Sequence, residues 1–131
     1  MLIPTALPAL LMLSTATTAD TDPRWLTHTG DDDVAPGHGK RVVLVAGDEE
    51  YRSEEGLPML ARLLSRHGYE SIVLFSQHPE TGEIDPEHPS NIPGLHLIDE
   101  ADVLVLQLRF RELPDDAMKH IVDHVEAGKP V

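Results

Sequence analysis

Three stretches of this chain are apolar without alternation: Arg41-Val42-Val43-Leu44-Val45-Ala46, Ser71-Ile72-Val73-Leu74-Phe75 and Asp102-Val103-Leu104-Val105-Leu106-Gln107-Leu108. Continuous β-branched runs of this length predict strands buried on both faces. Between the first two, residues 53–67 place Leu57, Leu60, Ala61 and Leu64 at helical spacing, with Gly68 positioned as a C-cap. Two starts for this helix are open. Ser53 as N-cap puts Pro58 inside the helix beyond its first turn, whereas a start near Leu57 leaves 53–56 as a turn. Residues 76–91 are polar and irregular, and 93–101 read as a short helix with Leu95, Leu97 and Ile98 inward. Residues 114–127 predict an amphipathic helix carrying Ala117, Met118, Ile121, Val122 and Val125 on one side, closed by Gly128. Lys129-Pro130-Val131 reads as the first step of a fourth strand.

Strands alternating with helices imply parallel pairing through right-handed crossovers. The expected fold class is α/β, an open parallel sheet with helices on both faces in the flavodoxin-like order 2-1-3-4. Sheets of this kind usually hold about five strands or more. Residues 40–131 are therefore expected to be the N-terminal portion of a domain that is C-terminally incomplete. Residues 20–39 mix Pro, Gly and Thr with three consecutive aspartates at 31–33 and read as a linker. Trp25 and Leu26 either dock on the domain or stay in a solvated tail, and the polar surroundings favour the tail.

Residues 1–19 carry no charged side chain. Their apolar stretch is about a dozen residues, too short to cross a hydrocarbon layer of about 30 Å. Thr17 and Ala19 are small residues at positions suited to cleavage before Asp20, so 1–19 are expected to be a signal peptide, although no Lys or Arg precedes the apolar run. The expected location is secreted or periplasmic, with no membrane span in the mature chain.

The 131 residues carry ten basic and twenty-three acidic side chains, a formal charge of −13. Such a field repels nucleic acid and anionic membranes and leaves a neutral or cationic small molecule as the expected partner. No cysteine is present, which excludes a disulfide framework and a cysteine nucleophile within these residues. Oligomeric state is not legible.

Open parallel sheets bind ligands beyond the carboxyl ends of their strands, where strand order reverses. Here the first strand runs into Gly47-Asp48-Glu49-Glu50-Tyr51-Arg52 and the third into Arg109-Phe110-Arg111-Glu112. The topology thus brings an acidic loop and an arginine loop to one crevice. Glu50 is the candidate catalytic acid/base, and Asp48, Glu49, Tyr51, Arg52, Arg109 and Arg111 are candidate substrate-binding residues. Two alternatives stay open. Glu54 and Glu55 can simply complement a helix dipole, and the arginines can simply neutralise the carboxylates in a structural network. Neither GxGxxG nor the Walker pattern occurs, and carboxylates repel phosphates, so no cofactor is expected. Alternating carboxylates and guanidinium groups suit a neutral polyhydroxylated ligand, whose hydroxyls both donate and accept. Among eight histidines, His120 and His124 stand four apart on a helix, a spacing that can chelate zinc. They lack a third ligand and are read as solvated, so no metal is expected. His78 follows the carboxyl end of the second strand and is the one histidine near the crevice.

The segment from Gly47 through Glu55 with Leu57-Pro58-Met59-Leu60 resembles the first loop and helix of ThuA-like (trehalose utilisation) domains. Ile92-Pro93-Gly94-Leu95 before Ala101-Asp102, Arg109-Phe110-Arg111, and Glu126-Ala127-Gly128-Lys129-Pro130-Val131 resemble the same family in the same order. The resemblance covers about residues 40–131. It implies a class I glutamine amidotransferase-like fold, a loose link to carbohydrate metabolism, and kinship with exported bacterial proteins. In that family the strand opening with Gly-Lys-Pro-Val leads into a further polar loop at the crevice, where amidotransferases carry their nucleophile. Glutaminase activity is not implied. The function expected is binding of, or action on, a sugar or sugar derivative. The alternatives are a non-catalytic carbohydrate-binding or interaction module and an inactive fragment.

Overall fold

A computed structural model describes residues 22–30 and 33–131. The expected signal peptide lies outside the described residues. The elements in chain order are β1 (Trp25–His28), β2 (Arg41–Gly47), α1 (Ser53–Ser65), β3 (Glu70–Phe75), a 3₁₀ helix (Leu95–Glu100), β4 (Val103–Leu108) and α2 (Asp115–Glu126). They form an α/β fold around one open, four-stranded sheet of order β1-β3-β2-β4. β2 pairs in parallel with β3 and with β4, as the apolar runs predict, and β1 joins the outer side of β3 antiparallel. The sheet is therefore mixed and not wholly parallel.

The two faces carry separate cores, because side chains alternate across the pleat. Val42, Leu44 and Ala46 of β2 with Val73 and Phe75 of β3 bury against Leu57 and Ala61 of α1. Val43, Val45, Ile72, Leu74 and Leu104 face the other way and meet Leu95, Ile98 and Ile121. Helical cover thus lies on both faces. α1 begins at Ser53, the earlier of the two starts, and holds Pro58 inside it. Ser53, Leu57, Ala61 and Ser65 are its buried row, so burial of one side of the whole segment outweighs the bond that Pro58 cannot donate.

The segment expected as a linker contributes an edge strand. Trp25 is only 8% exposed, pairs with Leu74 in register, and packs on Gly94. A Cβ at Gly94 would lie 2.8 Å from the indole, and its φ of 90° suits glycine, so the seat is built for the ring. Docking of Trp25 replaces the solvated-tail expectation, because burial of the indole, packing of Leu26 and the ladder to β3 together offset the entropy of ordering these residues. At the far edge, 129–131 are not assigned as a strand. The expected strand is not formed there, although the Leu104 N–H donates to the Pro130 carbonyl at 3.0 Å and brings Pro130 beside β4. No helix among the described residues is long and apolar enough to cross a membrane.

Candidate functional site

Parallel register decides where the two charged loops emerge. Gly47 stands opposite Leu108 in the β2–β4 ladder, so Asp48 and Arg109 leave the sheet side by side. The Arg109 N–H extends the pairing by one bond, to the Gly47 carbonyl at 3.1 Å. Close approach here needs a glycine, since a Cβ on Gly47 would meet Leu108 at 2.8 Å and the Arg111 stem at 3.3 Å.

The acidic loop is shaped from within. Asp48 is buried, and its Oδ1 accepts the N–H groups of Glu50 at 2.9 Å and Tyr51 at 3.1 Å. Its own N–H donates to Ser53 Oγ at 2.9 Å, which ties the loop to the first residue of α1. Asp48, expected to touch ligand, spends its Oδ1 on shaping the loop. Glu49 and Glu50 are turned instead toward the arginine loop. Arg109 Nη1 contacts Glu50 Oε2, and its Nε lies 3.7 Å from Glu49 Oε1. Arg111 Nη2 donates to Glu49 Oε2 at 3.1 Å. The two loops expected to converge therefore do so through ion pairs.

The two arginines have different roles. Arg111 has a side chain only 5% exposed. Its Nη1 reaches the carbonyls of Pro86 at 2.9 Å and His88 at 2.6 Å, and Ser76 Oγ at 3.4 Å. Its Nε donates to the Arg109 carbonyl at 2.6 Å. The guanidinium is spent on pinning the 76–91 loop over the rim, so the expected binding role passes to a structural one. Arg109 keeps about a third of its side chain exposed and lies over the Phe110 ring, 4.7 Å from its centroid.

Tyr51 and Phe110 are both exposed on these loops, and Arg52 is exposed and paired with Glu55 rather than turned to the other loop. Arg52 and Phe110 are the two non-glycine residues among those described with positive φ, each at 51°. That conformation costs about 1–2 kcal/mol per residue, and such strain gathers at functional loops. Both instances fall at this rim, one in each loop. Phe110 was given no role in the sequence reading, and Glu54 was read there as complementing the helix dipole. Glu54 Oε2 is buried without a hydrogen-bond partner in the first turn of α1, which a dipole role alone does not require.

The histidines divide differently from expectation. His124 is 3% exposed, with Nε2 donating to the Pro130 carbonyl at 3.0 Å and Nδ1 left without a partner. His120 Nδ1 lies 2.7 Å from Asp99 Oδ1. The solvated reading is corrected for His124, which lies on the buried face of α2 three residues from Ile121. His78 packs edge-on against His88, 6.1 Å between centroids, within the loop that Arg111 pins. Among the described residues no group of three His, Asp or Glu side chains is placed to hold a metal ion.

A cleft of ≈ 380 Å³ opens at the opposite, amino-terminal rim, lined by Lys40, Arg41, Glu70, Glu100 and Asp102 among others. Arg41 there bridges Glu70 at 2.7 Å and Glu100 at 2.5 Å, and these contacts raise its pKa, the Glu70 hydrogen bond foremost. The Arg41 N–H donated to Asp102 Oδ2 at 2.8 Å holds that carboxyl below its ordinary range. No family model, curated protein or solved structure matches this chain.

Proposed function

We propose that this chain is an exported ThuA-like domain, of the class I glutamine amidotransferase-like type, that binds a sugar or sugar derivative at the carboxyl rim of its sheet. The observation that carries this reading is the meeting of Glu49, Glu50 and Arg109 from the loops after two adjacent parallel strands. That crevice is where open α/β sheets hold ligands. The order β3-β2-β4 agrees with the flavodoxin-like arrangement. A carboxylate and a guanidinium side by side offer acceptors and donors in the alternation that vicinal hydroxyls match.

Glu50 is the more exposed of the two carboxylates and is the group we assign to any proton transfer. It is held at the rim by its pairing with Arg109. The same pairing also favours a second reading, a non-catalytic binding module, because both carboxylates already have cationic partners.

Calorimetric titration of the protein with a panel of mono- and disaccharides tests the proposal. Glu50→Gln and Arg109→Ala should each weaken binding by about tenfold or more, as loss of a charge-assisted hydrogen bond does. Unchanged affinity in both variants would remove this rim from consideration.

A further inference from the structure

Phe110 is the least economical residue at the rim. Its ring is 75% exposed, its backbone is left-handed, and both of its neighbours are anchored. On one side the Arg109 N–H is bonded to the Gly47 carbonyl. On the other, Arg111 Nε reaches back across Phe110 to the Arg109 carbonyl while its Nη1 holds the 76–91 loop. The Glu112 N–H adds a bond to the Pro89 carbonyl at 2.9 Å. These anchors leave Phe110 facing outward, with one ring face beneath the Arg109 guanidinium that pairs with Glu50. An exposed phenyl adds little burial to the fold, and backbone strain of this kind persists where surroundings enforce it.

We infer that the free face of Phe110 is the stacking platform of the site, recognising the C–H face of a pyranose ring whose hydroxyl edge extends toward the charged groups of the rim. The inference rests on the sugar-binding reading above and narrows it to a ring with one flat, hydroxyl-free face. Aromatic side chains hold such faces by apolar contact, while the adjacent charged groups hold the hydroxyl edge. An acyclic polyol carries the same hydroxyls and no such face. A β-glucopyranoside, with its axial hydrogens on both faces, is the ligand that meets both requirements.

The test uses methyl β-glucopyranoside and glucitol as probes, by calorimetry and by saturation-transfer NMR on the full chain. Irradiating aromatic protons should saturate the axial ring protons of the glucoside, and glucitol should bind about tenfold more weakly. Phe110→Ala should abolish the transfer and weaken glucoside binding by about tenfold, while Phe110→Tyr keeps both within a few-fold. Circular dichroism of each variant confirms that the fold is intact. Glucoside binding that Phe110→Ala leaves unchanged overturns the platform and spares the sugar-binding reading. Failure of the glucoside and of every other saccharide to bind the unaltered protein overturns both.

Discussion

The two rims of this sheet carry the same kinds of side chain and treat them in opposite ways. At the amino rim, Arg41, Glu70, Glu100, Lys40 and Asp102 line an open cleft. Neither Arg41 nor Asp102 departs from ordinary backbone conformation, and their charges satisfy one another. At the carboxyl rim, Glu49, Glu50, Arg109 and Arg111 are also paired, but here two non-glycine residues are held at positive φ and two aromatic rings face outward. Ion pairs therefore do not tell the two rims apart. Strain and exposed aromatic surface do.

The rims differ most in how deeply their arginines are held. Arg111→Ala should destabilise the protein by about 2–3 kcal/mol, since it leaves the Pro86 carbonyl without its donor and takes one of two donors from the His88 carbonyl and one of two cationic partners from Glu49. Urea denaturation checks this, and the 76–91 loop should lose amide-exchange protection first. A loss below about 1 kcal/mol would mean the guanidinium is not the pin the geometry indicates. Arg41→Met at the other rim should cost only about 1 kcal/mol, because its two ion pairs are partly solvated. Its titration with sugar should match that of the unaltered chain. A fall in affinity would shift attention to the amino-rim cleft.

What separates these arginines was not legible in the chain. Arg109 and Arg111 are two apart, flank the same phenylalanine, and differ only in which acceptors the 76–91 loop presents to them. That loop has no periodic pattern, so its carbonyls could not be placed beforehand. The parallel core was legible because β2 and β3 are buried on both faces and such strands read as unbroken apolar runs, whereas β4 carries the same kind of run but, at the end of the sheet, buries only Leu104 fully. Convergence of the two loops followed from that order alone. β1 escaped notice because Trp25-Leu26-Thr27-His28 is a four-residue edge strand among Asp, Pro and Thr. Its evidence lies in Gly94, some seventy positions on, where a missing side chain makes room for the indole. His124 was misread because its polarity hid that it sits on the same helical face as Ile121.

Acid sharpens the contrast in a smaller way. The Asp102 carboxyl is held below its ordinary value of 3.8, first by the Arg41 N–H and then by Lys40. A depressed carboxyl contributes stability that is full above that ordinary value and is lost as pH falls through the lower folded one. The acid limb of the stability curve below about pH 4 should therefore shallow in Asp102→Asn. Denaturation midpoints between pH 5 and pH 2 would show it, and an unaltered limb would mean that the amino rim does not contribute to acid sensitivity.

The smallest effect on stability is the most telling about the carboxyl rim. Phe110→Gly removes a left-handed strain of about 1–2 kcal/mol and adds about 0.4–1 kcal/mol of unfolded-chain freedom. The ring is exposed, so little burial is lost with it. The net change should lie between nothing and a gain of about 1.6 kcal/mol, read as an equal or slightly higher urea midpoint. A protein that becomes steadier when a surface phenylalanine is deleted keeps that residue for something other than folding. If instead the variant loses more than about 1 kcal/mol, the ring stabilises the Arg109 loop by packing beneath the guanidinium. The two rims would then differ in geometry alone.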